Sequence, residues 1–289
     1  MNNKIIKVSV VIPSRNRLDS LILAIDSIIN QKLHNCDIEI VVIDDGSDKP
    51  LKQALEKKFD DRVIIIRNES SLGGGTSRRI GVENSSGDYI AFLDDDDYYL
   101  ENKITDLVSY LECNKNVDAV FGSVIRESKN AAVTSKYLVD NETIKTIKCL
   151  PGLHTNGSLI RRRVFDDINF IDLPKYQDTQ FHTDLISKFN VVFLATDVAV
   201  WKDQHEGAQI TDMNSTEKIQ KSLLAQYQYL KHCNLNKSLS ISERFFISNR
   251  FIKHYCRFGS KVEHSINLSE VHFSVLPLLP LYKAYYLIK

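Results

Sequence analysis

Short apolar runs rich in β-branched residues alternate with stretches of helical spacing through the first 125 residues. This alternation restricts the fold more than any other feature of the chain. The runs at 7–12 (KVSVVI), 38–43 (IEIVVI), 63–66 (VIII), 89–93 (YIAFL) and 119–124 are mostly apolar on both sides, as strands are when both faces of their sheet are covered. Between them, Leu21, Ile22, Ile25, Ile28 and Ile29 recur at helical spacing, with Asp19 placed to cap the helix. The same spacing returns over 51–59, 76–84 and 101–113. Units of this kind build a parallel sheet with helices on both faces.

The first four strands run directly into polar residues: Pro13 to Arg17, Asp44 and Asp45, Arg67 and Asn68, and Asp94 to Asp97. Ligands in such sheets bind beyond the carboxyl ends of the strands, so four strands aim polar groups at one rim. Four consecutive carboxylates repel one another. A hard divalent cation held by carboxylate oxygens, with positions open for a phosphate, relieves that repulsion. A solvated acidic turn is the other reading of the run taken alone; the shared rim favours the cation.

The formal net charge of zero conceals an asymmetry. From Lys218 onward there are 11 Lys and Arg against 3 Asp and Glu, so this part carries +8 and residues 1–217 carry −8. An acidic body suits a metal or sugar site, and a basic tail suits an anionic partner such as a membrane surface, or docks on the body itself. The five cysteines are scattered and form no C-x-x-C pair, which points to free thiols in a reducing compartment and away from a zinc site. The N-terminus enters a strand without a signal-peptide pattern, and no stretch approaches ~20 apolar residues. The expectation is a cytoplasmic protein, peripheral at most on the inner face of the cell membrane.

Farther along, 126–150 has weak periodicity and reads as an irregular connection. Residues 153–160 read as a short strand entered through a polar turn, and Tyr176-Gln177-Asp178 precedes a helix reaching 189. Strands follow at 191–194 and 198–201, then a polar loop from Lys202, and helical spacing from about 216 to the end.

The ordered set KVSVVIPSRNR, VVIDDGSD, a Gly-rich turn (Gly73 to Gly75) with Arg78, and GDYIAFLDDDDYY resembles the inverting family 2 glycosyltransferases. The resemblance covers about residues 7–212. It implies the GT-A fold, an α/β Rossmann-like and mostly parallel sheet flanked by helices. The catalytic domain would then span 1–215, with a nucleotide-binding half at 1–125 and an acceptor half at 126–215. Residues 216–289 form a basic helical extension that the resemblance does not reach. A nucleotide-diphosphate sugar, usually a UDP-sugar, with Mn2+ or Mg2+ is implied as the donor.

Matched residue by residue, Pro13, Ser14 and Arg15 would line the nucleoside. Asp45 would hydrogen-bond the uracil, with Asp44 beside it serving the loop as much as the ligand. Arg78 would lie near the base or pyrophosphate. Asp95 would face the ribose and Asp96 would ligate the metal, Asp94 being able to take part and Asp97 to cap a helix. His205 matches a position that touches metal or diphosphate, and 206–214 resembles a closing lid. Asp178 stands at the position of the general base, with Gln177 where an acidic residue is common; Asp184, the competing carboxylate, faces another side of the helix. Sugar choice would fall to Asn156-Gly157-Ser158 and the lid. The chain lacks the Q-x-x-R-W motif of processive synthases, which favours one sugar per acceptor.

In the tail, Phe245, Phe246, Phe251, Tyr255 and Phe258 interleave with Arg244, Arg250, Lys253 and Arg257. Such a segment suits a membrane interface, where a lipid-linked glycan acceptor is found, packing on the body, or a homodimer; the acidic body argues against nucleic acid. The expected activity is transfer of a single sugar to a glycan hydroxyl in bacterial surface polysaccharide (O-antigen or capsule) synthesis. A sugar-nucleotide pyrophosphorylase is disfavoured because its Gly-rich phosphate loop follows the first strand, where this chain has Ser14 to Arg17. A non-catalytic sugar-nucleotide-binding protein is disfavoured by intact Asp45, Asp96 and Asp178.

Overall fold

The structure, a computed structural model, describes residues 5–133, 135–203 and 215–258, together with 269 and 271. Strands β1 (Ile6–Ser14), β2 (Cys36–Asp44), β3 (Val63–Arg67) and β4 (Tyr89–Phe92) are interleaved with helices α1 (Leu18–Ile29), α2 (Lys52–Phe59) and α3 (Gly74–Glu83). Then come β5 (Tyr98–Tyr99), α4 (Lys103–Cys113), β6 (Ala119–Arg126), β7 (Ala131–Ala132), β8 (Glu142–Thr143) and β9 (Ser158–Arg161). The chain continues through α5 (Gln177–Lys188), β10 (Val191–Trp201), α6 (Thr216–Leu235) and α7 (Ile241–Phe258).

All ten strands join one sheet in the order β3-β2-β1-β4-β9-β6-β10-β5, with β7 on β6 and β8 on β10. Strands β3, β2, β1 and β4 are parallel neighbours, whereas β9 enters antiparallel between β4 and β6. The alternation of side chains along a strand divides two cores between the faces. Val8, Val10 and Ile12 pack with Leu21, Ile25 and Ile28 of α1, while Val11 packs with Val82 of α3 and Phe92. Helix α3 lies so close to β1 that a Cβ at Gly81 would stand 2.2 Å from Val11 Cγ1.

Several boundaries differ from the sequence expectation. Asp19 does not cap α1: Arg17 holds the N-cap position and Asp19 sits in the first turn, where its charge favours the helix dipole. The two strands expected at 191–194 and 198–201 are one, β10, whose pairing with β6 shifts register around Asp197. The exposed Ala195-Thr196-Asp197 segment interrupts its apolar pattern without ending the ladder; a bulge absorbs the extra residues. The strand expected from 153 begins only at Ser158, because Thr155-Asn156-Gly157 form a turn of 3-10 helix. All five cysteines are free.

Helices α6 and α7 pack on the body through their own apolar cluster. Tyr229, Leu230, Ile247, Phe251 and Ile252 meet Ile147, Leu150 and Leu173. Asp184 of α5 accepts hydrogen bonds from Gln180 Nε2 (2.7 Å), Asn236 Nδ2 (2.9 Å) and His232 Nε2 (2.6 Å), so it is a fastening between α5 and α6. Arg244 donates to the carbonyls of Asn234 and Asn236 at the end of α6. The apolar face of α7 is therefore turned inward, the packing alternative for this part of the tail; residues 272–289 lie outside the described residues. No described helix is long and apolar enough to cross a membrane.

Candidate active site

The register of the parallel strands puts Ser14, Asp44 and Arg67 side by side at the carboxyl rim. Both carboxylates after β2 are buried, and each has a distinct set of donors. Asp44 accepts from Ser47 N (2.9 Å), Leu51 N (3.1 Å) and Arg67 Nη1 (2.6 Å). Burial alone would raise its pKa; these donors outweigh it and hold the group below the ordinary carboxylate value. Its work is to shape the loop. Asp45 Oδ1 accepts from Asn68 Nδ2 and Leu72 N, both at 2.8 Å, and Oδ2 from Ser71 Oγ (2.7 Å) and Gly73 N (3.0 Å). It ties the Gly-rich turn to β2. Pro13 is half-buried at the end of β1 and Arg15 is exposed.

The acidic run spreads four carboxylates in different directions. Asp94 pairs with Arg78 Nη2 at 2.5 Å. Asp95 accepts from Ser14 Oγ (2.7 Å) and Arg17 Nη1 (3.1 Å); burial nonetheless pushes its pKa up to about 6. Asp96 forms a close ion pair with the same Arg17. Asp97 does not cap a helix. It is 2% exposed and accepts from Asn156 Nδ2 (2.5 Å) and Lys202 N (2.8 Å), fastening the end of β10 beneath the run. Burial, then Asp94 and Asp96, push its pKa up to about 9.

Asn156 organises this floor. Its Oδ1 accepts from Asp94 N (3.0 Å), its Nδ2 donates to Asp97, and its carbonyl accepts from the buried Lys103 Nζ (2.5 Å). Burial lowers the Lys103 pKa well below its ordinary value, and Nζ lies 3.6 Å from the centroid of the Tyr99 ring. The expectation that Asn156-Gly157-Ser158 touches the sugar fails on burial, since Asn156 and Ser158 are wholly enclosed and Gly157 is buried.

One ligand atom from each of Asp94, Asp97 and His154 lies within 4.8 Å of the others. Two carboxylates and an imidazole suit a divalent cation such as Mn2+, and a cation there would oppose the upward push that burial and the neighbouring carboxylates exert on the Asp97 pKa. Asp96, expected as a ligand, pairs with Arg17 beside this cluster. His205 and the 206–214 segment lie outside the described residues.

Across the rim, Asp178 occupies the first turn of α5. Its Oδ1 is shut from solvent with no hydrogen-bond donor and stands 3.5 Å from Arg78 Nη1. Burial works to raise its pKa, but Arg78 opposes this and holds the group below the ordinary value. His182, buried against Thr155 Oγ1 (3.4 Å) behind it, is kept neutral: burial lowers its pKa to about 4. Arg78 is 6% exposed and joins Asp94 to Asp178 with one guanidinium. Gln177 lies under the Gly-rich turn, and a Cβ on Gly75 would come within 2.9 Å of its Cγ.

The carboxylates and the polar run to Arg17 were legible in the sequence, and Asn156 was read there as a sugar contact rather than as the floor of the site; His154, Lys103 and His182 were not. Arg17 had a signal in the doubled arginine of Ser14 to Arg17. The others sit in ordinary turns and helices, and only the fold brings them to the rim.

The profile of glycosyl transferase family 2 matches residues 9–168, over half of the chain. The chain is 33% identical over 108 residues to UDP-Glc:alpha-D-GlcNAc-diphosphoundecaprenol beta-1,3-glucosyltransferase WfaP of Escherichia coli, covering 37% of this chain and 42% of that one. The curated relatives matched first are likewise covered over less than two-thirds of their length. Among solved structures, S. aureus TarS 1-349 is similar with TM-score 0.70 at 16% identity, over 98% of this chain and 88% of that one. The mannosyltransferase PcManGT of Pyrobaculum calidifontis, in complex with GDP-Man and Mn2+, has TM-score 0.60 at 12% identity, over 97% and 83%. The sheet and its flanking helices thus have the GT-A arrangement, and the chain belongs to glycosyl transferase family 2.

Proposed function

We propose that this glycosyltransferase moves one sugar, with inversion, from a UDP-sugar to a hydroxyl of a lipid-linked glycan. The observation that carries the reading is Arg78, which links the acidic run to Asp178 across the rim of a parallel sheet. Asp178 is ionised at neutral pH, as a general base must be. It takes the acceptor hydroxyl proton as the oxygen bonds to the anomeric carbon and the bond from that carbon to the diphosphate breaks. The cation that Asp94, Asp97 and His154 suit, with Asp96 and His205 from the family match, would neutralise charge on the departing diphosphate. Pro13, Ser14, Arg15, Asp44, Asp45 and Asp95 are proposed to frame the nucleoside.

The solved structure of TarS 1-349 in complex with UDP-GlcNAc, a fold relative, supports a UDP-sugar. The Escherichia coli relative acts on a diphosphoundecaprenol-linked sugar, which supports a lipid-linked acceptor and surface polysaccharide synthesis. The +8 charge from Lys218 onward supports a peripheral contact with an anionic bilayer; failure to float with anionic vesicles at low salt rules that contact out.

Thermal unfolding with UDP-, GDP-, CMP- and dTDP-sugars, each with and without Mn2+, tests the donor. A ligand at about 100 times its dissociation constant adds about 2.7 kcal/mol, and one UDP-sugar is expected to do so only with Mn2+. Asp178→Asn is expected to lower turnover by about 10³ or more while sparing UDP binding. Full turnover by that variant removes Asp178 from the mechanism.

A further inference from the structure

Helix α6 grips α5 along its length by a row of polar side chains. Ser222, Gln226, Tyr229, His232 and Asn236 recur at intervals of three or four, on one face of the helix. Gln226 Nε2 donates to the Tyr176 hydroxyl at 2.8 Å, and Ser222 Oγ stands 3.1 Å from it. The Tyr229 hydroxyl and Thr183 Oγ1 are hydrogen-bonded at 2.8 Å, and His232 Nε2 and Asn236 Nδ2 donate to Asp184. Ser222, Thr183 and Asp184 are all buried. Directional bonds inside an apolar contact fix one register of the two helices, because a slide would leave buried polar groups unpaired.

The first of these contacts falls on a strained residue. Tyr176 stands at the N-cap of α5, adopts a left-handed backbone (φ +67°, ψ +21°) and gives the helix no side-chain cap. That region is unfavourable for a bulky residue, and such conformations persist where the surroundings over-determine them. Here two α6 side chains hold the hydroxyl, and the Tyr176 carbonyl accepts from Gln180 N at 2.9 Å. The cleft left beside it, lined in part by Gln226, Tyr229 and Phe246, has an enclosed depth of about 20 Å3, room for one water-sized group. Nothing larger replaces the tether. Two residues on, Asp178 faces Arg78 Nη1 at 3.5 Å, and its Oδ1 has no hydrogen-bond donor.

Resting on the reading of Asp178 as the general base, we propose that Tyr176 is a positioning residue. Through Gln226 and Ser222, α6 holds the turn in its left-handed conformation and so sets where the Asp178 carboxylate stands relative to Arg78 and the acceptor hydroxyl. Released from the tether, Tyr176 relaxes toward the right-handed region and carries the first turn of α5, with Asp178, out of place. A displacement of about 1 Å at a reacting group costs on the order of 10²-fold in rate. Packing of the Tyr176 ring alone would account for an apolar contact, but not for two partners on the hydroxyl of a left-handed residue. Helix α6 thereby acts on catalysis through a base that it does not itself carry.

Hydrogen exchange and steady-state rates of the full chain test this together. In Tyr176→Phe, which keeps the ring and loses the hydroxyl, the Gln180 amide is expected to exchange about tenfold faster, with the sheet amides unchanged. UDP release is followed from a UDP-sugar, with a water-soluble alkyl diphospho-N-acetylglucosamine as acceptor. The same variant is expected to show kcat lowered about 10- to 100-fold at an unchanged donor KM. Gln226→Leu is expected to act in the same direction, and Gln226→Glu, whose carboxylate can accept from the Tyr176 hydroxyl, to recover part of the rate. Added to Asp178→Asn, Tyr176→Phe should cost nothing further, since a positioning residue acts only through the group it positions. Losses that multiply in the double variant overturn the proposal. So do unchanged exchange at Gln180, and a Tyr176→Phe protein with a lower melting temperature but full kcat. Full turnover by Asp178→Asn, or none by the wild type, counts against the transfer reading instead, and the exchange result still decides whether α6 holds the turn.

Discussion

Glu39 shows how far neighbouring donors set the properties of a carboxylate in this protein. Its side chain is 9% exposed and accepts from Lys7 Nζ (2.7 Å), Ser9 Oγ (2.6 Å) and Ser86 N (2.7 Å). Burial works to raise its pKa, and the donors outweigh burial and lower it from 4.5 to about 2. A depressed folded-state pKa stabilises the fold above the unfolded value. That contribution, on the order of 3 kcal/mol from a shift of this size, is present above about pH 4.5 and lost as the pH falls through 2. Glu39→Gln is therefore expected to lower stability by roughly that amount at pH 7 and by much less at pH 2, read from denaturant unfolding at both pH values. Equal losses would mean the charge is immaterial. The same contrast separates Asp44, Asp45 and Asp97. The sequence located all three and read the loop duty of Asp44, but the duties of Asp45 as turn fastener and of Asp97 as buried pin follow from donors 23 to 105 positions along the chain.

At the scale of elements, the Gly-rich turn was readable as turn chemistry, and its packing role was not. Gly75 stands where any side chain would meet Gln177 Cγ at 2.9 Å and the Ile171 carbonyl at 3.2 Å. Gly75→Ala is expected to cost about 1–3 kcal/mol through overpacking and to lower turnover by displacing the turn that carries Asp178. Thermal unfolding and initial rates measure the two effects, and an unshifted melting temperature with full activity would show that α5 yields freely. Helical spacing found every long helix of the body, because 3.6-residue periodicity is a local property. It misjudged β10, where a bulge continues the ladder through exposed Ala195-Thr196-Asp197, because a strand's continuation depends on its partner β6.

For the whole molecule, we propose the division into a catalytic domain over 1–215 and an extension over 216–289, the latter not folding independently. The cluster that holds α6 and α7 takes Ile147, Leu150 and Leu173 from the body, and Asp184 supplies polar fastenings. A shared core makes unfolding cooperative, so calorimetry is expected to give one transition spanning body and extension. Two separated transitions would make the extension an autonomous unit.

The sequence by itself determined the α/β class, the parallel order of the first four strands' chemistry, and a rim rich in carboxylates. Periodicity and residue type act locally and survive without coordinates. Only the tertiary structure decided which groups meet: Arg78 between Asp94 and Asp178, Asn156 beneath the acidic run, and the aromatic cleft behind Asp178. Those residues are separated by 16 to about 100 positions along the chain. Their proximity arises from sheet order and helix packing, and no local pattern in a single sequence encodes it.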